Sequence, residues 1–167
     1  YAWQSDTCLF TSKKQQTIIL ESTVYPGATR EIFSGYLLKK FDLGKNIFLG
    51  YASERVSPGQ TDKKIYKYFL ENTTKVISGF DEKSLKKVDQ LYKKVFKKVY
   101  KAKSLEIAEM SKLVENSYRS VNIGLVNELK TICHKLKMDI NQVITTAGTK
   151  PFGFSKFYPG PGVGGHC

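Results

Sequence analysis

Short apolar runs alternate along this chain with longer segments whose apolar residues recur every three or four positions. Gln16-Thr17-Ile18-Ile19-Leu20 predicts a buried strand, ended by the polar, turn-forming stretch Glu21-Ser22-Thr23-Val24-Tyr25-Pro26-Gly27. Ile32, Phe33, Tyr36 and Leu37 then share one face of a helix expected over about residues 29–40. Leu43-Gly44-Lys45-Asn46 turns the chain into a second strand, 47–51, which runs straight into another polar loop, Ser53-Glu54-Arg55-Val56-Ser57-Pro58-Gly59. A third short strand, 75–79, precedes a helix carrying Leu85, Val88, Leu91, Val95 and Val99 at helical spacing. Strands alternating with helices predict an α/β fold on a parallel, doubly wound sheet. Ligands of such sheets bind outside the carboxyl ends of the strands, so the Ser22-Thr23 and Glu54-Arg55 loops are functional candidates.

From Ser104 the pattern changes to one long helix, reaching about Lys137 without a proline and with Gly124 as its only glycine. A helix of that length spans about 50 Å, more than the width of a small domain, and is expected to link two domains and to pack against a second subunit. Asp139 is placed to cap a further short helix through about Ala147, and the glycine- and proline-rich stretch from Gly148 onward must be loop. The expected division is a sheet-containing part, residues 1–103, followed by a helical part, 104–167.

Composition narrows the function classes. With 167 residues and 41% hydrophobic content the chain is large enough for a globular core. No apolar run approaches the roughly 20 residues that cross a bilayer, and Tyr1-Ala2-Trp3-Gln4 has no signal-peptide character, so a cytoplasmic protein without membrane association is expected. Cys8, Cys133 and Cys167 are an odd number at wide spacing, which argues against a disulfide framework or a metal site and leaves room for a functional thiol. A net charge of +12 invites a nucleic-acid reading, but Lys86, Lys87, Lys93, Lys94, Lys97, Lys98, Lys101 and Lys103 surround the apolar positions of one amphipathic helix. They are read as a solvated basic face, and no nucleic-acid partner is expected. There is no initiator Met, and a functional Gly-Gly-His-Cys terminus would fray, so both ends are expected to be internal to a longer protein.

Lys112, Asn116 and Arg119 stand at i, i+4 and i+7 on the long helix and so form a polar, cationic face. Such a face could hold an anionic ligand or stabilise an oxyanion, and equally could be solvated surface. Gly160-Pro161-Gly162-Val163-Gly164-Gly165 matches the dinucleotide-binding GxGxxG pattern, but no strand leads into it and no helix follows. Its glycines are better explained as bringing Cys167 and neighbouring amides close to a bound substrate. His166 is adjacent to that thiol, yet neighbours on an extended loop point apart, so a partner from elsewhere is expected. Cys133 reads as a buried helix residue and His134 as a surface one.

The two strand-end loops, the segment 108–119 and Tyr158-Pro159-Gly160-Pro161-Gly162-Val163-Gly164-Gly165-His166-Cys167 together resemble the UDP-glucose/GDP-mannose dehydrogenase family in order and spacing over residues 15–167. Residues 1–14 match nothing that can be placed. The Glu-Arg-Val with Pro-Gly pattern is similar to the branch acting on UDP-N-acetylhexosamines, and Pro151-Phe152-Gly153-Phe154 looks most like UDP-N-acetylglucosamine 6-dehydrogenases. The resemblance implies the C-terminal half of a Rossmann-type NAD-binding domain followed by a long helical dimerisation domain. It implies oxidation of a C6 hydroxyl to a carboxylate with two NAD molecules, in products that usually feed surface polysaccharide assembly.

Site roles follow from the same resemblance. Cys167 is implied to attack the intermediate aldehyde, Glu54 to assist hydrolysis of the resulting thioester, and Lys112 and Asn116 to stabilise the oxyanion and hold water. Arg55, Val56 and Arg119 match substrate-contacting positions, and Thr23 a residue beside the nicotinamide. The glycine-rich dinucleotide loop and the aspartate expected after the nucleophile are missing, so the chain by itself is expected not to turn over. Rival readings are a different sugar (UDP-N-acetylmannosamine, UDP-N-acetylgalactosamine or UDP-glucose), a basic helical nucleic-acid-binding module and a non-catalytic paralogue.

Overall fold

A computed structural model describes residues 15–34, 42–55 and 72–161. Its residues group into two units, 1–113 and 114–167. In the first, β1 (Gln16–Leu20), β2 (Ile47–Ala52), β3 (Lys75–Gly79) and β4 (Val99–Lys101) form one sheet in that order. β1 and β2 are parallel, with Gln16 opposite Ile47 and Leu20 opposite Tyr51, and β3 and β4 are parallel. β2 and β3 are antiparallel, with Gly50 opposite Gly79 and Ala52 opposite Ile77. The three strands expected from the apolar runs are present, but the expected all-parallel sheet is corrected at β3. An apolar run reads the same in either direction once both its faces are buried, so its composition carries no record of strand polarity.

Both faces of the sheet are covered. On one, helix α1 (Glu82–Tyr92) packs Val88 and Tyr92, with Phe96 just beyond it, against Ala52 and Ile77. Asp81 caps α1 by accepting from the Ser84 amide at 2.7 Å. The basic helix is thus shorter than its periodicity implied: Val99 belongs to β4, while Leu91 and Val95 are about half exposed. Tyr92 and Phe96 take the buried side because the large rings fill the space above Ile77 better than the smaller aliphatic side chains one position away. The lysines at 86, 93, 94, 97, 98, 101 and 103 are exposed.

The close approach of α1 depends on Gly79, where a Cβ would run into the backbone nitrogen of Leu85. Gly79→Ala is therefore expected to destabilise the fold by about 1–3 kcal/mol through overpacking. Urea unfolding checks this, and an unchanged midpoint would refute it.

On the other face, Leu105 and Ala108 from the first turns of α2 (Leu105–Lys135) pack with Tyr51, Val76 and Ala102. Residues Thr29–Ser34 form a single π-helical stretch at the start of the helix expected over 29–40, and 35–40 lie outside the described residues.

The second unit contains the rest of α2, from Val114, and α3 (Ile140–Ala147). Asp139 caps α3 through the Asn141 amide at 2.9 Å, as its position predicted. Val126, Cys133, Ile140 and Ile144 form the core here, with Phe157 packed against them. Cys133 is buried and His134 exposed, matching the sequence reading. The described residues from Gly148 onward contain no helix or strand.

Candidate active site

The strand directions decide what meets at the candidate loops. β1 and β2 run side by side, so Glu21, directly after β1, and Ser53-Glu54-Arg55, directly after β2, emerge at the same sheet edge. Because β3 runs the other way, its first residue, Lys75, starts at that edge too. The Lys75 Nζ lies 2.8 Å from Glu21 Oε1 and 3.2 Å from Glu54 Oε2. Its side chain is only 3% exposed, whereas each carboxylate is 46% exposed. Its ammonium also sits 5.2 Å from the ring centroid of Tyr92 and 5.4 Å from that of Phe96. A buried ammonium is tolerated only when paired, and here two carboxylates and two aromatic faces meet it.

The Tyr92 hydroxyl donates to Glu21 Oε1 at 2.6 Å. Burial alone would raise the Glu21 carboxyl, but the hydrogen bonds from Lys75 and Tyr92 and the lysine's charge outweigh it and hold the group below the usual carboxylate range. Burial, reinforced by the bond to Glu21, pushes the Tyr92 hydroxyl far above its ordinary value, so it acts as a neutral donor.

Lys112, near the start of α2, donates from Nζ to the backbone carbonyl of Glu54. The Arg55 guanidinium donates to the Thr74 carbonyl at 3.0 Å, and Thr23 stands exposed on the loop after β1. The far end of that loop is tied down by Glu109. This fully buried residue of α2 accepts the Gly27 and Thr29 amides, the latter at 2.8 Å.

Asn116 and Arg119 belong to the second unit, where Arg119 donates to Asn116 Oδ1 at 3.1 Å. In the same unit the Asn127 amide group makes a paired contact with Gly160, donating to its carbonyl at 2.8 Å and accepting its amide at 3.2 Å. Cys167 and Val56 lie outside the described residues.

Three well-placed residues escaped sequence reasoning. Glu109 left a signal, since it stands at i+4 from Leu105 and i+1 from Ala108, a charge within the apolar stripe of α2. Lys75 looked like one more lysine of a basic chain, and Asn127 like one more polar helix residue.

Residues 4–96 match the NAD-binding domain of the UDP-glucose/GDP-mannose dehydrogenase family, and residues 106–167 match that family's central domain. The chain belongs to the UDP-glucose/GDP-mannose dehydrogenase family. The NAD-binding match begins at residue 4, so it takes in residues 4–14, which had found no place from sequence reasoning. Among curated relatives of this dehydrogenase family, Protein CapL of Staphylococcus aureus is 44% identical, over 90% of this chain and 34% of its own length. UDP-N-acetyl-D-glucosamine 6-dehydrogenase of Pseudomonas aeruginosa is 39% identical, over 93% of this chain and 36% of its own. The native structure of the UDP-N-acetyl-mannosamine dehydrogenase Cap5O from Staphylococcus aureus superposes with a TM-score of 0.76 at 36% identity, covering 90% of this chain and 35% of that one. The chain thus spans about a third of the length of the relatives it matches.

The residues present suit part of a dinucleotide site. Two adjacent parallel strands end in polar loops, the first of them exposed over residues 21–23, and Glu109 accepts two amides at that loop's far end.

Proposed function

We propose that the protein oxidises the C6 hydroxyl of a UDP-N-acetylhexosamine, with UDP-N-acetylglucosamine as the substrate, to the uronic acid. The observation that carries this reading is the Lys112–Glu54 contact. It joins two members of the candidate site that stand 58 positions apart in sequence, at the strand ends where this fold binds ligands. Bound NAD would supply the hydride acceptor for each of the two oxidations, and Thr23 would help hold its nicotinamide end.

The chain's own residues do the rest. The thiolate of Cys167 adds to the aldehyde carbon, and Lys112 and Asn116 stabilise the oxyanion so formed. Loss of hydride from this thiohemiacetal leaves a thioester. Water then attacks the thioester carbon as Glu54 takes its proton, the C–S bond breaks, and its electron pair returns to the Cys167 sulfur. One alcohol, one water and two oxidised nicotinamides give one carboxylate, two reduced nicotinamides and three protons. Arg55, Val56 and Arg119 hold the nucleotide sugar. Residues 1–103 serve the cofactor side of this site, and 104–167 carry Lys112, Asn116, Arg119 and the nucleophile.

UDP-N-acetylmannosamine is the rival substrate, because the relatives include enzymes named for either sugar. Following NADH with UDP-N-acetylglucosamine, UDP-N-acetylmannosamine, UDP-N-acetylgalactosamine and UDP-glucose in the full-length gene product decides between them. Two NADH per UDP-N-acetylglucosamine support the reading, and none with any sugar from a folded, NAD-competent protein would sink it.

The protein works as a homodimer through α2. Val114, Tyr118, Val121, Leu125, Leu129 and Ile132 follow one another at steps of three or four residues and are all exposed, Val121 to 70%. Val121→Glu is expected to convert the dimer to a monomer in light scattering; an unchanged mass would refute this face. No described helix is long and apolar enough to cross a membrane. A cytoplasmic setting, where the Cys167 thiol stays reduced, suits the chemistry.

A further inference from the structure

We infer that Lys75 is a positioning residue for the second half of this reaction, clamping the Glu54 carboxylate in the orientation from which it takes the proton of the hydrolytic water. The inference rests on the reading of Glu54 given above.

An ammonium has three N–H donors and no acceptor. That of Lys75 is directed to Glu21 at 2.8 Å and to Glu54 at 3.2 Å, with the rings of Tyr92 and Phe96 closing over it. The asymmetry of burial is informative: the cation is 3% exposed while both carboxylates are 46% exposed. An ion pair serving only to fill the core would be buried on both sides. Here the lysine is the fixed post, and the carboxylates are held where water reaches them.

Glu54 is gripped twice, at its side chain by Lys75 and at its backbone carbonyl by Lys112. Glu21 is likewise gripped twice, by Lys75 and by the Tyr92 hydroxyl. Glu21 therefore balances the lysine's charge from a fixed place and leaves Glu54 as the second acceptor. A general base is effective only within hydrogen-bond reach of the proton it removes, and a glutamate otherwise samples many rotamers. Without the ammonium, two carboxylates that shared one counterion would face each other as like charges and move apart.

In the step concerned, the water oxygen bonds to the thioester carbon and its proton passes to Glu54. The C–S bond breaks with its electrons going to Cys167, so neither oxidant nor reductant is needed. The first oxidation does not use Glu54 in this scheme, and a defect at Lys75 should fall on hydrolysis alone.

The test compares Lys75→Met, Lys75→Arg and Glu54→Gln in the full-length gene product, by rapid quench with mass spectrometry of the acylated enzyme and by stopped-flow NADH. Lys75→Met is expected to keep the NADH burst and to leave KM for the UDP-sugar within about twofold. It should lower steady-state kcat about tenfold to a hundredfold, no more than the low end of the roughly hundredfold to ten-thousandfold that a positioned base contributes because the base is misplaced and not removed, and accumulate the thioester on Cys167. Lys75→Arg, which keeps a cation and its donors, should recover most of the rate. If Lys75→Met slows burst and steady state equally and no thioester accumulates, while Glu54→Gln does accumulate it, Lys75 is merely structural and the inference falls alone. If Glu54→Gln turns over without accumulating thioester, the reading of Glu54 fails and takes the inference with it. Should Lys75→Met lose its cooperative melting, Lys75→Gln, a neutral donor, carries the same comparison.

Discussion

Cys167→Ala is expected to lower uronic acid formation by the full-length gene product by at least about a thousandfold, a loss typical of removing a covalent nucleophile. Without the sulfur no thiohemiacetal forms, so the second hydride has no tetrahedral carbon to leave from. The first oxidation does not require the thiol, and a slow, single equivalent of NADH with free aldehyde as product fits the scheme. Trapping that aldehyde with a hydrazine while counting NADH per sugar makes the measurement. Two NADH per sugar and a normal carboxylate yield from the alanine variant would remove Cys167 from the chemistry.

The largest structural effect is expected at Glu109. Glu109→Ala deprives the buried Thr29 amide and the part-buried Gly27 amide of their acceptor. Each stranded amide costs about 1–3 kcal/mol, and the vacated volume adds to this. The carboxylate's own desolvation offsets part of the loss, leaving an expected destabilisation of about 3–5 kcal/mol. Glu109→Gln keeps one acceptor oxygen and should lose about half as much. Denaturant unfolding gives the magnitude, and hydrogen exchange at the Gly27 and Thr29 amides gives the place. A loss under about 1 kcal/mol, or unchanged protection of those amides, would mean the loop after β1 is held by something else.

Much of the fold was legible because burial leaves a period. The apolar runs marked β1, β2 and β3, the long unbroken stretch after Ser104 marked α2, and Asp139 marked the start of α3, each a local property of adjacent residues. The limits of α1 were less legible, because Leu91 and Val95 offered the same period as the face that is really buried. Only the volume above Ile77 selects Tyr92 and Phe96. β4 was hidden for the same reason, its Val99 fitting the end of a helical pattern.

The candidate residues divide along the same line. Residue type and spacing alone marked the Glu54-Arg55 loop and the Lys112, Asn116 and Arg119 face, because polar residues directly after a buried strand, or at i, i+4 and i+7 of a helix, are conspicuous locally. Long-range pairing decided the rest. The reversal of β3, which no local pattern records, delivers Lys75 to the ends of β1 and β2, and so a lysine 54 residues from Glu21 and 21 from Glu54 joins the two carboxylates. A charge met by partners distant in the chain looks like any surface lysine until the strands are paired, since its desolvation and its compensation both come from residues far from it in sequence.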